Sequence, residues 1–170
     1  MTSDELCAYI SSLITKYPII SVEDGMGEDD EYGWKRLSEA HGKDMMLVGD
    51  DLFVTDAERI KSASREKIAN AVLIKPNQIG TVSETHSAIK CARALGYSTV
   101  MSHRSGETED TVIADLAVAY GTPYVKMGAP ARGERTAKYN RLMKIEEEIT
   151  KAHKGFRNKF TNPLAKASIL

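Results

Sequence analysis

Short apolar runs alternate along the chain with longer segments of mixed polarity, and turn residues punctuate the two. A helix is predicted over about Asp4 to Tyr17, followed by the run Pro18-Ile19-Ile20-Ser21-Val22, a strand that enters Glu23-Asp24-Gly25. After the polar loop Gly27 to Glu31, a second helix spans about Tyr32 to Ala40 and stops at His41-Gly42, where glycine takes its usual C-terminal place. Met46 to Gly49 is the next strand and runs into Asp50-Asp51. Thr55-Asp56-Ala57-Glu58 has the spacing of a capping box, with Thr55 as cap, and opens a helix to about Ile68. The unit repeats: strand Ala71 to Lys75, turn Pro76 to Gly80, a second box Thr81 to Glu84, and a helix that stops at Gly96. Tyr97 to Met101 is a fourth strand, about Glu109 to Tyr120 a helix, and Pro123 to Lys126 a fifth strand. A long charged helix over about Glu134 to His153 completes the ordered part. Strands alternating with helices are the pattern of a parallel α/β sheet. Residues 1–154 form this array, and 155–170, which carry Arg157, Lys159 and Lys166 and no acid, are expected to be a mobile or docked terminal extension.

Composition narrows the function classes. The 170 residues hold 23 Lys and Arg against 24 Asp and Glu, a net charge of −1. No whole-chain field exists to grip a phosphate backbone, so no nucleic-acid partner is expected. The longest apolar stretches fall well short of the roughly 20 residues that cross a bilayer, so no membrane partner is expected. The start, Met1-Thr2-Ser3-Asp4-Glu5, is acidic where a secretory signal is basic and then apolar. Cys7 and Cys91 are isolated thiols that suit a reducing cytosol, and a cytoplasmic location is expected.

Candidate chemistry sits where the strands end. Glu23, Asp50, Lys75, His103 and Lys126 each stand at or just past a predicted strand C-terminus, at separations of 27, 25, 28 and 23 residues, one βα unit per step. In parallel α/β architectures strand C-termini face a shared crevice, so these groups are expected to converge there. Carboxylates suit a hard cation such as Mg²⁺, while Arg and Ser suit a phosphate or carboxylate. Taken singly, an acidic pair after a strand is more often a turn, and a strand-end lysine is usually solvated. Glu107, Glu109 and Asp110 read as first-turn helix acids, Cys91 as core, and His41, His86 and His153 as surface or helix-end residues.

Five segments, in order and in register, resemble the successive motifs of the enolase family: Ser21 to Asp24, Gly49 to Leu52, Leu73 to Gly80, Ser102 to Asp110 and Lys138 to Leu142. The resemblance covers about residues 8 to 150. It implies an enolase-type lyase (phosphopyruvate hydratase) of glycolysis and gluconeogenesis that interconverts 2-phosphoglycerate and phosphoenolpyruvate with loss of water. It implies Lys75 as the proton-abstracting base and Glu23 and Asp50 as Mg²⁺ ligands. Ser102, His103, Arg104 and Ser105 would hold the substrate and its phosphate, and Lys126 would contact it near its carboxylate. A Lys base beside Mg²⁺ is a known chemistry of this superfamily, because charge builds up on the substrate carboxylate as the proton leaves. A pocket with a second cation, Lys126, would also disfavour the ammonium form of the base.

The resemblance further implies the C-terminal portion, about five βα units, of a TIM-type (β/α)8 barrel, whose complete form takes about 250 residues. The family's N-terminal α+β domain and first barrel strands have no counterpart here, and with them the third metal ligand and the glutamates of the acid step are missing. Gly25 stands where the family usually has Pro. An open five-stranded sheet also leaves edges unpaired. The expectation is therefore a subunit of a split or truncated enolase, inactive without its missing part, with a complementary N-terminal chain or a homo-oligomer as partner. A helix start capped by Thr2 or Ser3 places the break between elements. The alternative is a catalytically inactive remnant that acts as a binding or structural protein.

Overall fold

The computed structural model describes residues 1–153 and Gly155; the expected extension otherwise lies outside the described residues. The described residues divide into two compact units, 1–100 and those from 101 on. Strand neighbours follow sequence order, β1-β2-β3-β4-β5. This is the βα-unit connectivity expected of the C-terminal part of a β/α barrel.

In the first unit α1 (Ser3–Lys16) precedes β1 (Ser21–Glu23), and α2 (Glu31–His41) leads to β2 (Met46–Gly49). Helix α3 (Ala57–Arg65), β3 (Ala71–Ile74), the single turn α4 (Pro76–Ile79) and α5 (Val82–Ala94) follow, and β4 (Ser98–Ser102) begins there. Strands β1 and β2 pair in parallel with Val22 opposite Leu47, and β2 and β3 with Val48 opposite Ala71. Helix α1 packs on α2, α3 on α5, and α5 on β3. All of β3 is buried, as expected for a strand covered on both faces. Trp34, Leu37, Leu47, Phe53, Ile60 and Ile89 complete this core, each side chain contributing about 1.5–3 kcal/mol on burial. The Trp34 indole donates to the Gly27 carbonyl (3.0 Å), and Phe53 meets Tyr97 edge-on. Asn70 staples the bottom of β2, accepting from the Leu47 amide (2.8 Å) and donating to the carbonyls of Gly42 (2.9 Å) and Met45 (2.7 Å).

The second unit contains the end of β4, α6 (Val112–Ala119), β5 (Tyr124–Lys126) and α7 (Gly133–Ala152). Helices α6 and α7 pack together, and Met101, Ile113, Ala114, Ala117, Met127 and Ile145 are buried. Arg141 on α7 pairs with Asp115 on α6, its Nε lying 3.0 Å from both carboxylate oxygens.

Several local expectations are corrected. The cap of α3 is Asp56, whose carboxylate accepts from the Glu58 (2.8 Å) and Arg59 (2.9 Å) amides. Thr55 is displaced from that role because its backbone is left-handed (φ 60°) and its hydroxyl is drawn inward. Helix α3 stops at Arg65 instead of Ile68, since Lys67 (φ 58°) and Ala69 (φ 56°) leave the helical region. The expected turn after β3 is a helical turn with Pro76 at its first position, where a missing N–H costs nothing. Glu107, Glu109 and Asp110 precede α6, which starts at Val112, so they are loop residues; the Asp110 carboxylate accepts from the Val112 amide (2.8 Å). Cys91 is only half-buried. Thr81 caps α5 as expected, accepting from the Glu84 amide, and His41 ends α2 with its ring on the Ser11 hydroxyl (2.7 Å).

Candidate active site

Three strand ends of the first unit build one polar cluster. Just past exposed Glu23, the chain turns at Asp24, which is held at φ 44°. The Asp24 carboxylate accepts from the amides of Asp50 (2.8 Å) and Asp51 (3.0 Å), so it fixes the turn that follows β2. Burial pushes the Asp24 carboxyl above its usual range; the two amide bonds oppose this, and the charges of Asp50 and Asp51 add to it.

Asp50 is buried at 7% exposure and lies against the Lys75 ammonium across the gap between β2 and β3. A closed circuit of hydrogen bonds surrounds the pair. Gln78 Nε2 donates to Asp50 Oδ1 (3.0 Å), the Thr55 hydroxyl donates to Gln78 Oε1 (2.7 Å) and accepts from the Lys75 backbone amide (2.9 Å), and Lys75 Nζ donates to Asp50 Oδ2. Thr55 is completely buried, and both it and Val54 (φ 42°) are β-branched residues in a left-handed backbone. That conformation costs of order 1–3 kcal/mol per residue and persists only where surroundings enforce it, as the circuit does here.

One oxygen from each of Asp24, Asp50 and Asp51 lies within 4.8 Å of the others. Hard carboxylate oxygens at this density are the donor set that Mg²⁺ takes, so the residues present fit the cation. Among the described residues Glu23 is not a member of this group of three.

The second unit presents the other expected residues. Ser102 is buried at the end of β4, its hydroxyl donating to the His103 carbonyl (2.9 Å). The His103 amide donates to the Lys126 carbonyl (2.9 Å), which ties the ends of β4 and β5. Arg104, Ser105 and Lys126 are exposed. The Arg135 guanidinium touches the His103 ring and donates to the Ser105 carbonyl (2.9 Å). Burial first, and then the Arg135 charge, pull the His103 imidazole below its usual range, with Lys126 and Lys138 in the same direction and Glu107 opposed.

Asp50 thus meets Lys75 directly, and His103 meets Lys126 through the backbone. Sequence reasoning misses Asp24, Thr55, Gln78 and Arg135 as members of these clusters. Asp24 and Gln78 lie inside the family motifs and carry that signal, whereas Thr55 reads as a cap and Arg135, thirty-two positions from His103, has no local signal at all.

A family model described as "Enolase, C-terminal TIM barrel domain" matches residues 1–163. The enolase of a Nitratiruptor species is 56% identical over 149 residues, which are 88% of this chain and 35% of that protein. Enolase 1 of Methanospirillum hungatei is likewise 56% identical over 149 residues, again 88% of this chain and 35% of the relative. The chain therefore spans about a third of the length of these curated relatives.

Proposed function

Because this chain belongs to the enolase family, we propose that it supplies the C-terminal part of an enolase active site, which interconverts 2-phosphoglycerate and phosphoenolpyruvate. The observation that carries this reading is the Lys75 ammonium set against Asp50 at the ends of adjacent strands, within two of the family's motifs. Lys75 in its amine form takes the proton from the carbon beside the substrate carboxylate, and the Nζ stays ammonium while the carbon–oxygen bond of the leaving hydroxyl breaks. His103, Arg104 and Ser105, with Ser102 behind them, grip the phosphate, and Lys126 faces the carboxylate end.

Glu23 and Asp50 are the Mg²⁺ ligands that the family motifs imply, Asp50 being the one that also belongs to the close group with Asp24 and Asp51, and a bound cation would supply positive charge to the substrate carboxylate. Asp24 serves that pair by fixing the turn that carries Asp50. Asp50 is also the counter-ion of Lys75. The acid step and the remaining barrel strands come from a complementary N-terminal part, and the reaction belongs to cytoplasmic glycolysis.

The test is complementation. The chain alone is expected to form no phosphoenolpyruvate from 2-phosphoglycerate. Co-expression with the N-terminal two-thirds of the Nitratiruptor enolase is expected to restore Mg²⁺-dependent formation, and Lys75→Ala to abolish it. Activity that survives Lys75→Ala in the complemented enzyme would falsify the assignment of Lys75 as base. A complex that assembles with native mass and yet stays inactive would overturn the enzymatic reading.

A further inference from the structure

Helix α7 lays three side chains of its first two turns on the loops that follow β4 and β5, and none of them belongs to the expected substrate-binding set. Arg135 Nη2 donates to the Ser105 carbonyl (2.9 Å), and its Nη1 reaches the Arg104 carbonyl (3.4 Å) and both ring nitrogens of His103, with Nε2 at 3.1 Å. One planar guanidinium therefore spans three successive residues of the loop proposed to grip phosphate. Lys138, one turn on and on the same face, is 1% exposed; its Nζ donates to the Thr108 carbonyl (2.8 Å) and its own helix's Glu134 carbonyl (2.8 Å), 3.7 Å from Glu107 Oε2. The Glu107 carboxylate accepts from the Arg104 amide (3.4 Å) and the Thr108 amide (3.1 Å), so the second cation holds the far end of the same loop. Tyr139 donates its hydroxyl to the Gly128 carbonyl, two residues beyond Lys126.

Room for the arginine is built into the sequence. Gly128 adopts φ 78°, and a Cβ there would lie 2.7 Å from Arg135 Cδ and 3.2 Å from its Nε. Any side chain at this position would meet the arginine shaft. The glycine thus serves both a left-handed turn and a passage. Burying two cations is costly unless each finds acceptors, and here these are mainly backbone carbonyls, those of Arg104, Ser105 and Thr108 in the loop and of Glu134 in α7, while the Glu134 and Glu107 carboxylates stand off at 3.7 Å. Such an arrangement orders a loop more than it stabilises a charge pair.

We propose that Arg135 and Lys138 are positioning residues that clasp loop 103–108 from behind and set His103, Arg104 and Ser105 for an anionic phosphoryl group. This deepens the enolase reading and rests on it for the identity of the anion. Burial first, and then the Arg135 charge of the clasp, disfavour the imidazolium form of His103. The groups that face it are Arg135 and Lys138 from α7, Lys126 from β5 and Glu107 from its own loop, and three of these four disfavour its protonation.

The test compares Arg135→Gln, Arg135→Lys and Lys138→Met with Arg141→Gln, a control on the same helix that loses ion pairs to Asp115 and Glu148, residues outside the loop. In the complemented enzyme, Arg135→Gln is expected to raise KM for 2-phosphoglycerate about tenfold and kcat to change far less, because the loop's grip is weakened in ground and transition states alike. Arg135→Lys is expected to rescue little, since an ammonium cannot span three acceptors. In the full chain without complement, nuclear magnetic resonance titration is expected to show the His103 midpoint rising in Arg135→Gln and unmoved in Arg141→Gln. A His103 midpoint and KM that both stay put in Arg135→Gln, with a thermal midpoint no lower than that of Arg141→Gln, would overturn the clasp. If wild-type complementation yields no turnover, the enolase reading fails, while the His103 titration still decides the clasp. Should Arg135→Gln not fold, Arg135→Lys carries the same titration, and an unmoved midpoint there with full KM rescue would also overturn the proposal.

Discussion

Removal of Asp50 tests the polar circuit most directly. The Asp50 and Lys75 side chains are 10% and 13% exposed, so water does little to screen them. Asp50→Ala deletes the counter-ion of Lys75 and the acceptor of Gln78 Nε2, leaving two donors without their acceptor. A hydrogen bond to a charged group contributes about 1.5–3 kcal/mol, and breaking a buried pair by removing one partner costs about 3–5 kcal/mol. With a tenth of each side chain still wet, the low end applies, about 3 kcal/mol. For a chain of this size that is a fall in thermal midpoint of roughly 6–12 °C. Lys75→Met strands the Asp50 carboxylate with Gln78 alone and is expected to cost a similar amount. The double variant Asp50→Ala with Lys75→Met leaves neither charge behind, so its cost is expected to be smaller than the two single losses together, with a coupling of about 2 kcal/mol or more. The assay is chemical denaturation of the four proteins followed by circular dichroism. A coupling below about 0.5 kcal/mol would mean that the two groups act independently, and the circuit would then be no unit of the fold.

Three further outcomes are expected. Asn70→Ala should cost about 2–4 kcal/mol because three backbone groups lose their partners, and the Leu47 amide should lose hydrogen-exchange protection; unchanged protection there would refute the staple. Tyr97 donates to the Ile68 carbonyl, and burial pushes its hydroxyl from 10.0 up to about 12. The unfolded chain therefore gives up this proton first, so stability should fall as pH rises from about 10 to about 12, and in urea titrations Tyr97→Phe should lessen that fall. Gly49→Ala would place a methyl 2.5 Å from the Phe53 ring and 3.0 Å from Leu52, so overpacking should cost about 1–3 kcal/mol and change the near-ultraviolet dichroism of the Phe53–Tyr97 pair; a neutral result would show that Phe53 moves freely.

The chemistry at strand ends is legible in the sequence to different degrees. Asp50 and Lys75 are readable because each follows a short apolar run, and their pairing follows once β2 and β3 are neighbours. Glu23 is readable as a strand-end acid, yet its neighbour Asp24 is the carboxylate that reaches across to Asp50 and Asp51. Alternation along a strand tells which face a residue takes, but Asp24 sits at φ 44°, outside strand geometry, where alternation no longer applies. Thr55 misleads for a related reason. Its spacing to Glu58 satisfies a capping rule, and the adjacent Asp56 satisfies an equally good one; the choice falls to Asp56 because the Lys75 amide and Gln78 compete for the Thr55 hydroxyl.

What the order of residues determined by itself is the α/β alternation, the places where strands end, the cap at Thr81 and the family motifs, since each depends on periodicity or spacing within a few residues. Only the tertiary structure decided which carboxylate braces which turn, that Thr55 and Gln78 close a circuit around Asp50 and Lys75, and that Arg135 and Lys138 hold the 103–108 loop from about thirty positions away. Contacts at such separations carry no local periodicity. They exist because crossover helices return the chain to neighbouring strands, so which groups meet follows from packing and register, and so does the site.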